Sequence, residues 1–119
     1  MKSEDEVALE DDLAEWGKVI LLETRGRMSG HRLRAAVGFV EEPGGSLLVA
    51  AGNSSADWVL NLRANPRCIV RLADRVGDFE AQEVDDSTAH QAIVQLILKY
   101  GTPAERLGSG PVFRLRPTG

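Results

Sequence analysis

The stretch KVILLETRGRMSGHRLRAAVGFVEEPGGSLLVAA, Lys18 to Ala51, decides the fold. Apolar segments rich in β-formers occupy 18–24, 32–41 and 46–51, and two short glycine-containing stretches separate them. Connections this short join antiparallel strands, because a parallel pair needs a crossover of a dozen or more residues. We therefore predict a meander of three antiparallel strands.

The rest of the chain adds strands and two helices to this meander. We predict, in order, a helix at 58–64 capped by Asp57, strands at 67–73 and 78–84 joined by a longer loop, a helix capped by Asp86 or Ser87 and ended by Gly101, and a strand at 111–117. About six strands linked mostly by hairpins predict an antiparallel sheet curled into a small barrel.

Length and composition indicate one domain over residues 1–119. Hydrophobic residues make up 43%, enough for a core without disulfides or a structural metal. The single cysteine, Cys68, excludes an intramolecular disulfide and fits a reducing compartment. Apolar runs are too short for an integral membrane segment, and the acidic N-terminus is unlike a signal peptide. We therefore expect a cytoplasmic protein.

Charge is distributed unevenly along the chain. The formal net charge is −4, yet residues 1–12 alone hold six acids and one lysine. We predict a short acidic N-terminal helix there, within residues 1–16, with an apolar stripe of Leu9, Leu13 and Trp16. Four arginines then fall within ten residues without an acid among them, at Arg25, Arg27, Arg32 and Arg34. The overall acidity argues against nucleic acid as a partner.

The reactive side chains offer little chemistry of their own. The two histidines have no metal-ligand spacing with an acid, and no serine lies in a nucleophile elbow. Cys68 falls on the apolar face of a strand and is predicted to be inert, while the lone Tyr100 is predicted to pack. If the protein is an enzyme, a cofactor carries the hard step, and no catalytic acid or base is named.

The turn Arg25–Gly30, RGRMSG, is the first candidate site. Two glycines allow backbone N–H groups to point into one concavity, Ser29 adds a hydroxyl, and Arg27 adds a charged donor. In an extended strand, Arg32 and Arg34 share one face beside this turn. These residues suit a phosphate or several carboxylates. A solvated hairpin end with scattered arginines is an equally good interpretation of the spacing.

The second candidate site follows the third strand. Ala51, Gly52 and Asn53 are small or polar residues at a strand end, where a flat ring can approach the backbone. On the helix that follows, Trp58 and Leu62 are expected in the core. Asn61 is expected to bond either a loop carbonyl or a ligand.

Together the two sites resemble the deazaflavin-dependent nitroreductase family, which binds coenzyme F420 through its phosphate and oligoglutamate tail. The resemblance rests on ETRGRMSG at Glu23–Gly30, VAAG at Val49–Gly52 and WVLNLRANP at Trp58–Pro66. It implies a mainly β fold with helices, a six-stranded antiparallel split β-barrel of the FMN-binding type. Met28 stands where the family usually has a basic residue.

The resemblance also implies roles for particular residues. Those expected to bind the cofactor are Arg27, Met28, Ser29, Gly30, Arg32, Arg34, Ala51, Gly52, Asn53, Trp58 and Asn61. The arginine-rich turn would hold the phosphate and carboxylates, and residues 51–53 would line the deazaflavin ring, supported by Trp58 and Asn61.

The activity implied by the resemblance is hydride transfer from reduced coenzyme F420 to a small electron-poor acceptor, such as a quinone or a nitro compound. An FMN-binding oxidoreductase on the same barrel is an alternative, as is a non-catalytic ligand-binding protein. A homodimer is expected by analogy with other split barrels.

Overall fold

A computed structural model describes residues 17–101 and 110–118, and the predicted N-terminal helix lies outside these ranges. The elements in chain order are strands β1 (Ile20–Arg25), β2 (Arg32–Val37), β3 (Phe39–Glu41) and β4 (Leu47–Ala50), helix α1 (Asp57–Ala64), strands β5 (Arg67–Leu72) and β6 (Arg75–Glu83), helix α2 (Asp86–Tyr100) and strand β7 (Val112–Pro117). The sequence also predicts a loop from Thr102 to Gly110, and this loop falls almost entirely outside the described residues.

All seven strands form one antiparallel sheet in the order β2-β1-β5-β6-β7-β4-β3. Its two outermost strands, β2 and β3, are consecutive in the chain and separated by Gly38 alone. Because a single residue joins the two edge strands, the sheet has to curl until the end of β2 reaches the start of β3 at Gly38. The antiparallel split barrel predicted from the sequence is therefore confirmed.

Gly38 also explains why the sheet has seven strands rather than six. The predicted strand 32–41 is divided at this glycine, and its two parts pair with β1 and β4 at opposite edges. A Cβ at Gly38 would lie 3.2 Å from the ring of Tyr100, tighter than ordinary packing. The break thus lies where the ring of Tyr100, the last residue of α2, packs against the chain.

Two hydrophobic clusters stabilise the barrel. The larger fills its interior with the inward side chains of the strands and with Val59 and Leu62 of α1. The smaller joins α2 to the outside of β4 and β7 through residues such as Ala92, Leu96 and Val112. The helix predicted to end at Gly101 is confirmed, and its apolar stripe packs on β4 and β7. The core position expected of Leu62 is confirmed as well.

Three local predictions were wrong in detail. The β5–β6 connection is a tight turn rather than a longer loop, since β6 already begins at Arg75 and Ala73 adopts a positive φ of 54°. Helix α2 is capped by Asp85, whose carboxylate accepts from the Thr88 amide at 2.8 Å, and not by Asp86 or Ser87. That hydrogen bond lowers the pKa of Asp85.

Asp57 does not cap α1, which is the third correction. The N-cap is Ala56, without a side-chain hydrogen bond, and Asp57 is the first residue of the helix. Its carboxylate instead approaches Arg27, with 3.5 Å between Asp57 Oδ1 and Arg27 Nη2. An acid in the first helical turn is also favoured by the helix dipole.

The hydroxyl of Tyr100 fastens α2 to the start of the barrel. It donates to the Lys18 carbonyl at 2.7 Å and accepts from the Phe39 amide at 3.1 Å. Burial raises the pKa of this phenol, so it keeps its proton at neutral pH. Tyr100 therefore has the structural role that the sequence predicts.

Replacing Tyr100 by phenylalanine tests this contact. We expect the free energy of unfolding to fall by about 1–2 kcal/mol, because the Phe39 amide and the Lys18 carbonyl lose their partner. Urea denaturation measures the change. Ser54→Ala, which removes an exposed hydroxyl, is the control and should stay within about 0.5 kcal/mol. Equal stability of Y100F and the parent would contradict this role.

Candidate functional site

A hollow of about 240 Å³ lies between the β1–β2 turn and the first residues of α1. We call it the turn hollow. It is lined by residues 26–29, 31–33, 57 and 61. Five of the eleven predicted site residues meet here, namely Arg27, Met28, Ser29, Arg32 and Asn61.

The turn that forms one wall is closed by its own backbone. Gly26 N–H donates to the His31 carbonyl at 2.7 Å, and Gly30 N–H donates to the Gly26 carbonyl at 2.9 Å. Gly30 has a φ of +76°, and a Cβ at Gly26 would approach the His31 oxygen to 2.8 Å. Both positions therefore require glycine, which explains the RGRMSG spacing.

The turn offers fewer amides to an anion than the sequence suggests. The amides of Gly26, Arg27, Gly30 and His31 all donate to acceptors of the protein. Within the turn 26–31, which lies wholly in the described residues, the amides of Met28 and Ser29 have no acceptor. Side chains must therefore supply much of any anion binding.

Asn61 connects this turn to the barrel. Its side chain is 2% exposed, and its Nδ2 donates to the hydroxyl of the buried Thr24 at 3.1 Å. Its Oδ1 accepts from the Arg27 amide at 3.1 Å and from Arg27 Nη1 at 2.9 Å. The Asn61 side chain therefore does not bond a loop carbonyl, which was one of its two expected roles. It holds Arg27 through both the backbone amide and the guanidinium of that arginine.

Arg27 is the cation that this network positions. Its side chain remains 32% exposed although Asn61 and Asp57 both contact the guanidinium. Two fixed contacts reduce the rotamer entropy that an arginine loses when it binds a ligand. The remaining N–H groups of the guanidinium are available to an anion in the hollow.

Ser29 and Arg32 complete the polar lining. Ser29 Oγ accepts from the His31 amide at 3.1 Å, so its hydroxyl proton stays available to a ligand. Arg32 Nη1 lies 3.2 Å from Glu23 Oε2, an exposed ion pair. Met28 is 92% exposed and adds only an apolar wall.

Six predicted site residues do not line the turn hollow: Gly30, Arg34, Ala51, Gly52, Asn53 and Trp58. Gly30 shapes the turn, and Arg34 lies opposite Glu23 in the β1–β2 register.

The stretch 51–53 lies at the end of β4, and two of its polar groups, the Ala51 amide and the Asn53 side-chain oxygen, have partners within the chain. The Ala51 amide donates to the Pro111 carbonyl at 3.0 Å, and Gly110 packs directly on the Ala51 backbone. Asn53 Oδ1 accepts from both the amide and the hydroxyl of Ser55. Gly52 and Asn53 are nevertheless exposed.

Trp58 is only half-buried, packing tilted on Phe113 with ring centroids 6.0 Å apart. It contacts the barrel core from one side, in partial agreement with the core position expected of it.

Four residues that line the hollow were not predicted as site residues: Gly26, His31, Leu33 and Asp57. Asp57 was predicted to cap the helix, and the sequence favours a surface position for His31, with contact to an anion as the alternative. Asp57 is found only from the fold, because its contact with Arg27 spans thirty positions of sequence. His31 is exposed, as expected, but also lines the hollow.

The remaining reactive groups are structural. Cys68 is 6% exposed, and burial, with help from the charge of Asp78, raises the pKa of its thiol to about 12. It is inert, as predicted.

Within residues 17–101 and 110–118, no three His, Cys, Asp or Glu side chains form a metal site. No helix in these ranges is long and apolar enough to cross a bilayer.

A larger cavity of about 420 Å³ opens at the other end of the barrel. It is lined by apolar side chains such as Leu47, Val70 and Phe79, with acids and Arg75 nearby. The β1–β5 register places the Leu72 end of β5 away from the arginine turn. None of the predicted site residues lines this cavity, so it is separate from the turn hollow.

The closed order of the strands and the arginine-bearing turn at one end define a split-barrel protein. The model of the F420H(2)-dependent quinone reductase family matches residues 4–106. The chain belongs to this family, and the resemblance to F420-dependent proteins inferred from its sequence is confirmed.

Solved structures share the fold of this chain. An F420-H2 dependent reductase, FDR-A, superposes with a TM-score of 0.68 at 27% identity, over 83% of this chain and 94% of its own. The heme storage protein HutZ from Vibrio cholerae has a TM-score of 0.71 at 22% identity, covering 100% of this chain and 92% of its own. A putative pyridoxamine 5'-phosphate oxidase from Listeria innocua reaches 0.67 at 17% identity, covering 93% and 94%. At these identities, HutZ and the oxidase show only that they have the same fold as this chain.

Asn61→Ala tests the network that joins the turn to the barrel. The buried Thr24 hydroxyl and the Arg27 amide would lose their partner, so the free energy of unfolding should fall by about 1–3 kcal/mol. Thermal and urea unfolding measure it. Asn53→Ala, at an exposed loop asparagine, is the control and should cost less. Equal losses in the two variants would contradict the role assigned to Asn61.

Proposed function

We propose that this protein is an F420H2-dependent oxidoreductase that transfers a hydride to a small electron-poor organic acceptor, such as a quinone or a nitro compound. Family membership supports the cofactor class. The observation that carries the proposal is the buried Asn61, whose carbonyl oxygen fixes Arg27 at the edge of the turn hollow. A buried amide engaged in this way preorganises a cation for a ligand.

The donors around the turn hollow fit the phosphate of the cofactor. Arg27 and Arg32 supply guanidinium N–H groups, Ser29 a free hydroxyl proton, and Met28 and Ser29 backbone amides. A phosphate has enough acceptor oxygens for this mixed set. Since Met28 stands where the family usually has a basic residue, Arg27 carries a larger share of the phosphate binding.

Residues 51–53 are our proposed support for the deazaflavin ring. The side chains of Ala51 and Gly52 are small, and the exposed backbone at 52–53 leaves room for a flat molecule. Trp58, packed on Phe113, stiffens the start of the helix that follows. Arg34 and Gly30 belong to the proposed site through the strand and turn that they form. When bound, the reduced deazaflavin would supply the hydride, and the chain's own residues would bind and orient the cofactor.

A homodimer in the cytoplasm is part of this proposal. One structure with the same fold, at 23% identity and a TM-score of 0.70, is described as a domain-swapped dimer. A chain of this size also gains buried area from association.

Titration with coenzyme F420 tests the cofactor assignment. We expect the parent to bind it at micromolar concentration, measured by deazaflavin fluorescence. Arg27→Ala should weaken binding by about 10- to 100-fold, since a charge-assisted bond is lost, and Ser29→Ala by about three- to tenfold. Arg75→Ala, at an exposed arginine in the opposite hairpin, is the control and should bind like the parent.

Three outcomes would count against the proposal. They are no binding of F420 at micromolar levels, equal binding by R27A and R75A, or tighter binding of FMN than of F420. Circular dichroism would confirm that the variants are folded. The third outcome would favour an FMN oxidoreductase on the same barrel.

The carboxylate of Asp57 should oppose binding of the cofactor. It lines the turn hollow and lies 3.5 Å from Arg27, so its charge repels an incoming phosphate. Asp57→Asn should therefore tighten F420 binding by about two- to fivefold at low salt, the size of an exposed charge pair. High salt should reduce the gain.

Asp74→Asn, which removes an acid from the far β5–β6 turn, is the matched control for D57N. If D57N weakened binding, Asp57 would be needed to hold Arg27 in place rather than opposing the ligand. If both variants tightened binding equally, only the net charge of the protein would matter.

A further inference from the structure

The cavity of about 420 Å³ at the other end of the barrel reaches the core. We call it the far cavity. Its walls include Leu47, Val70 and Leu72, which are at most 8% exposed and belong to the interior cluster. The far cavity therefore extends inward rather than lying on the outer surface of the sheet. Its volume falls within the range of small-molecule sites, about 300–1,000 Å³.

A missing side chain opens the interior at this end. In the β5–β6 register, Val70 is directly opposite Gly77 and Leu72 is directly opposite Arg75. Directly opposite residues of two strands share one face of a sheet, and Val70 and Leu72 both face the core. Gly77 therefore occupies an interior position of β6, where a strand normally contributes a side chain to the packing.

The fold does not require glycine at position 77. Gly77 is not among the glycines with a positive φ. A Cβ at this position would meet the ring of Phe79 at 3.5 Å, which is an ordinary van der Waals distance. Glycine inside a strand weakens the strand, and it often marks a place that a ligand approaches closely. The space at Gly77 is thus a feature for which packing alone gives no reason.

Two opposite charges stand at the mouth of the far cavity. Arg75 shares the interior face of the sheet with Leu72, and Glu41 shares it with Leu47, its partner in the β3–β4 register. Both charged residues line the cavity and are exposed. No ion pair joins them, and in the part of the chain that the structure describes Arg75 has no ion pair with any acid.

The other acids of the lining are less suited to a ligand. Glu42 accepts from Arg114 at 2.7 and 3.0 Å, which engages both carboxylate oxygens and holds the pKa of Glu42 below its usual range. Asp78 is opposite Ile69 and so lies on the outward face of β6. Glu41 is therefore the acid, beside the base Arg75, that a molecule in the far cavity would meet.

We infer that the far cavity binds a small zwitterion with an apolar body, of the class of the apolar amino acids. The body fills the space at Gly77, the ammonium faces Glu41, and the carboxylate faces Arg75. The planar guanidinium matches the two oxygens of a carboxylate. A ligand with a single charge gains one of these contacts and is repelled by the other residue. The acidic residues 1–12 are a poor occupant for the same reason.

Binding of compounds that share a phenyl group tests this inference. L-phenylalanine carries both charges, phenethylamine only the cation, hydrocinnamate only the anion, and benzyl alcohol none. Shifts of the backbone amide NMR signals of residues 75–79 measure the dissociation constants. We expect L-phenylalanine to bind with a constant on the order of 1 mM, as its few heavy atoms allow. Phenethylamine and hydrocinnamate should bind about two- to fivefold more weakly, since each loses an exposed charge contact.

Gly77→Val should weaken the binding of L-phenylalanine by about tenfold or more, because its side chain fills the far cavity. Valine favours strands, so the variant should fold, and Gly77→Ala provides a smaller change at the same position. Arg75→Gln should weaken L-phenylalanine about two- to fivefold without weakening phenethylamine. Arg116→Gln removes an exposed arginine that does not line the far cavity and is the matched control for R75Q.

Several outcomes would overturn the inference. They are no saturable binding of L-phenylalanine, equal binding of all the phenyl compounds, unchanged binding in both Gly77 variants, or equal losses in R75Q and R116Q. A changed oligomeric state of G77V in ultracentrifugation would instead make the far cavity an interface between copies. None of these results bears on F420, because the turn hollow has none of these residues in its lining. Conversely, a failure of F420 to bind would leave this inference standing.

Discussion

The side chain of Asn61 is the contact on which the candidate site depends. It is buried between helix and barrel, and every polar atom it offers is engaged by Thr24 or Arg27. A buried amide is costly unless its hydrogen bonds are satisfied, so this geometry tolerates little displacement. The barrel thus determines where the guanidinium of Arg27 lies. A loop arginine becomes a fixed part of the scaffold.

The barrel in turn depends on its closure at Gly38. The strands on either side of this residue form the two edges of the sheet, so the curl of the sheet is imposed by the chain itself. Tyr100 fastens the same place, with its hydroxyl between the start of β1 and the amide of Phe39. Closure brings α1 over the end of β1, where Asn61 meets Thr24. Fold and site are therefore linked through a few buried polar contacts.

Much of the fold could be predicted because its signals are local. Apolar segments, glycine turns and the stripe on α2 are each contained in a few consecutive residues. The division of the long strand at Gly38 was missed, since a glycine inside an apolar run looks like part of one strand. The Asp85 cap and the early start of β6 were missed because neighbouring residues offer equally good signals.

The site was predicted as a set of residue types, and only part of that set meets in one place. Arg27, Ser29 and Arg32 come together because a single turn carries them. The role of Asn61 rests on a contact across thirty-four positions, which no local pattern encodes. The adjacency of Arg25 and Arg67 was missed for the same reason, since it is created by strand pairing. The motif therefore predicts the anion site better than it predicts the supports around it.

The arginines of β2 have one more consequence, for the solubility of the folded chain. In the sheet formed by residues 17–101 and 110–118, β2 is an outer strand with unpaired backbone groups along one side, and such an edge can recruit a strand from another molecule. Charged side chains at Arg32 and Arg34 make this pairing unfavourable between identical molecules, because their like charges would be brought together. The same guanidiniums that suit the strand for an acidic ligand thus also protect it against self-association into aggregates.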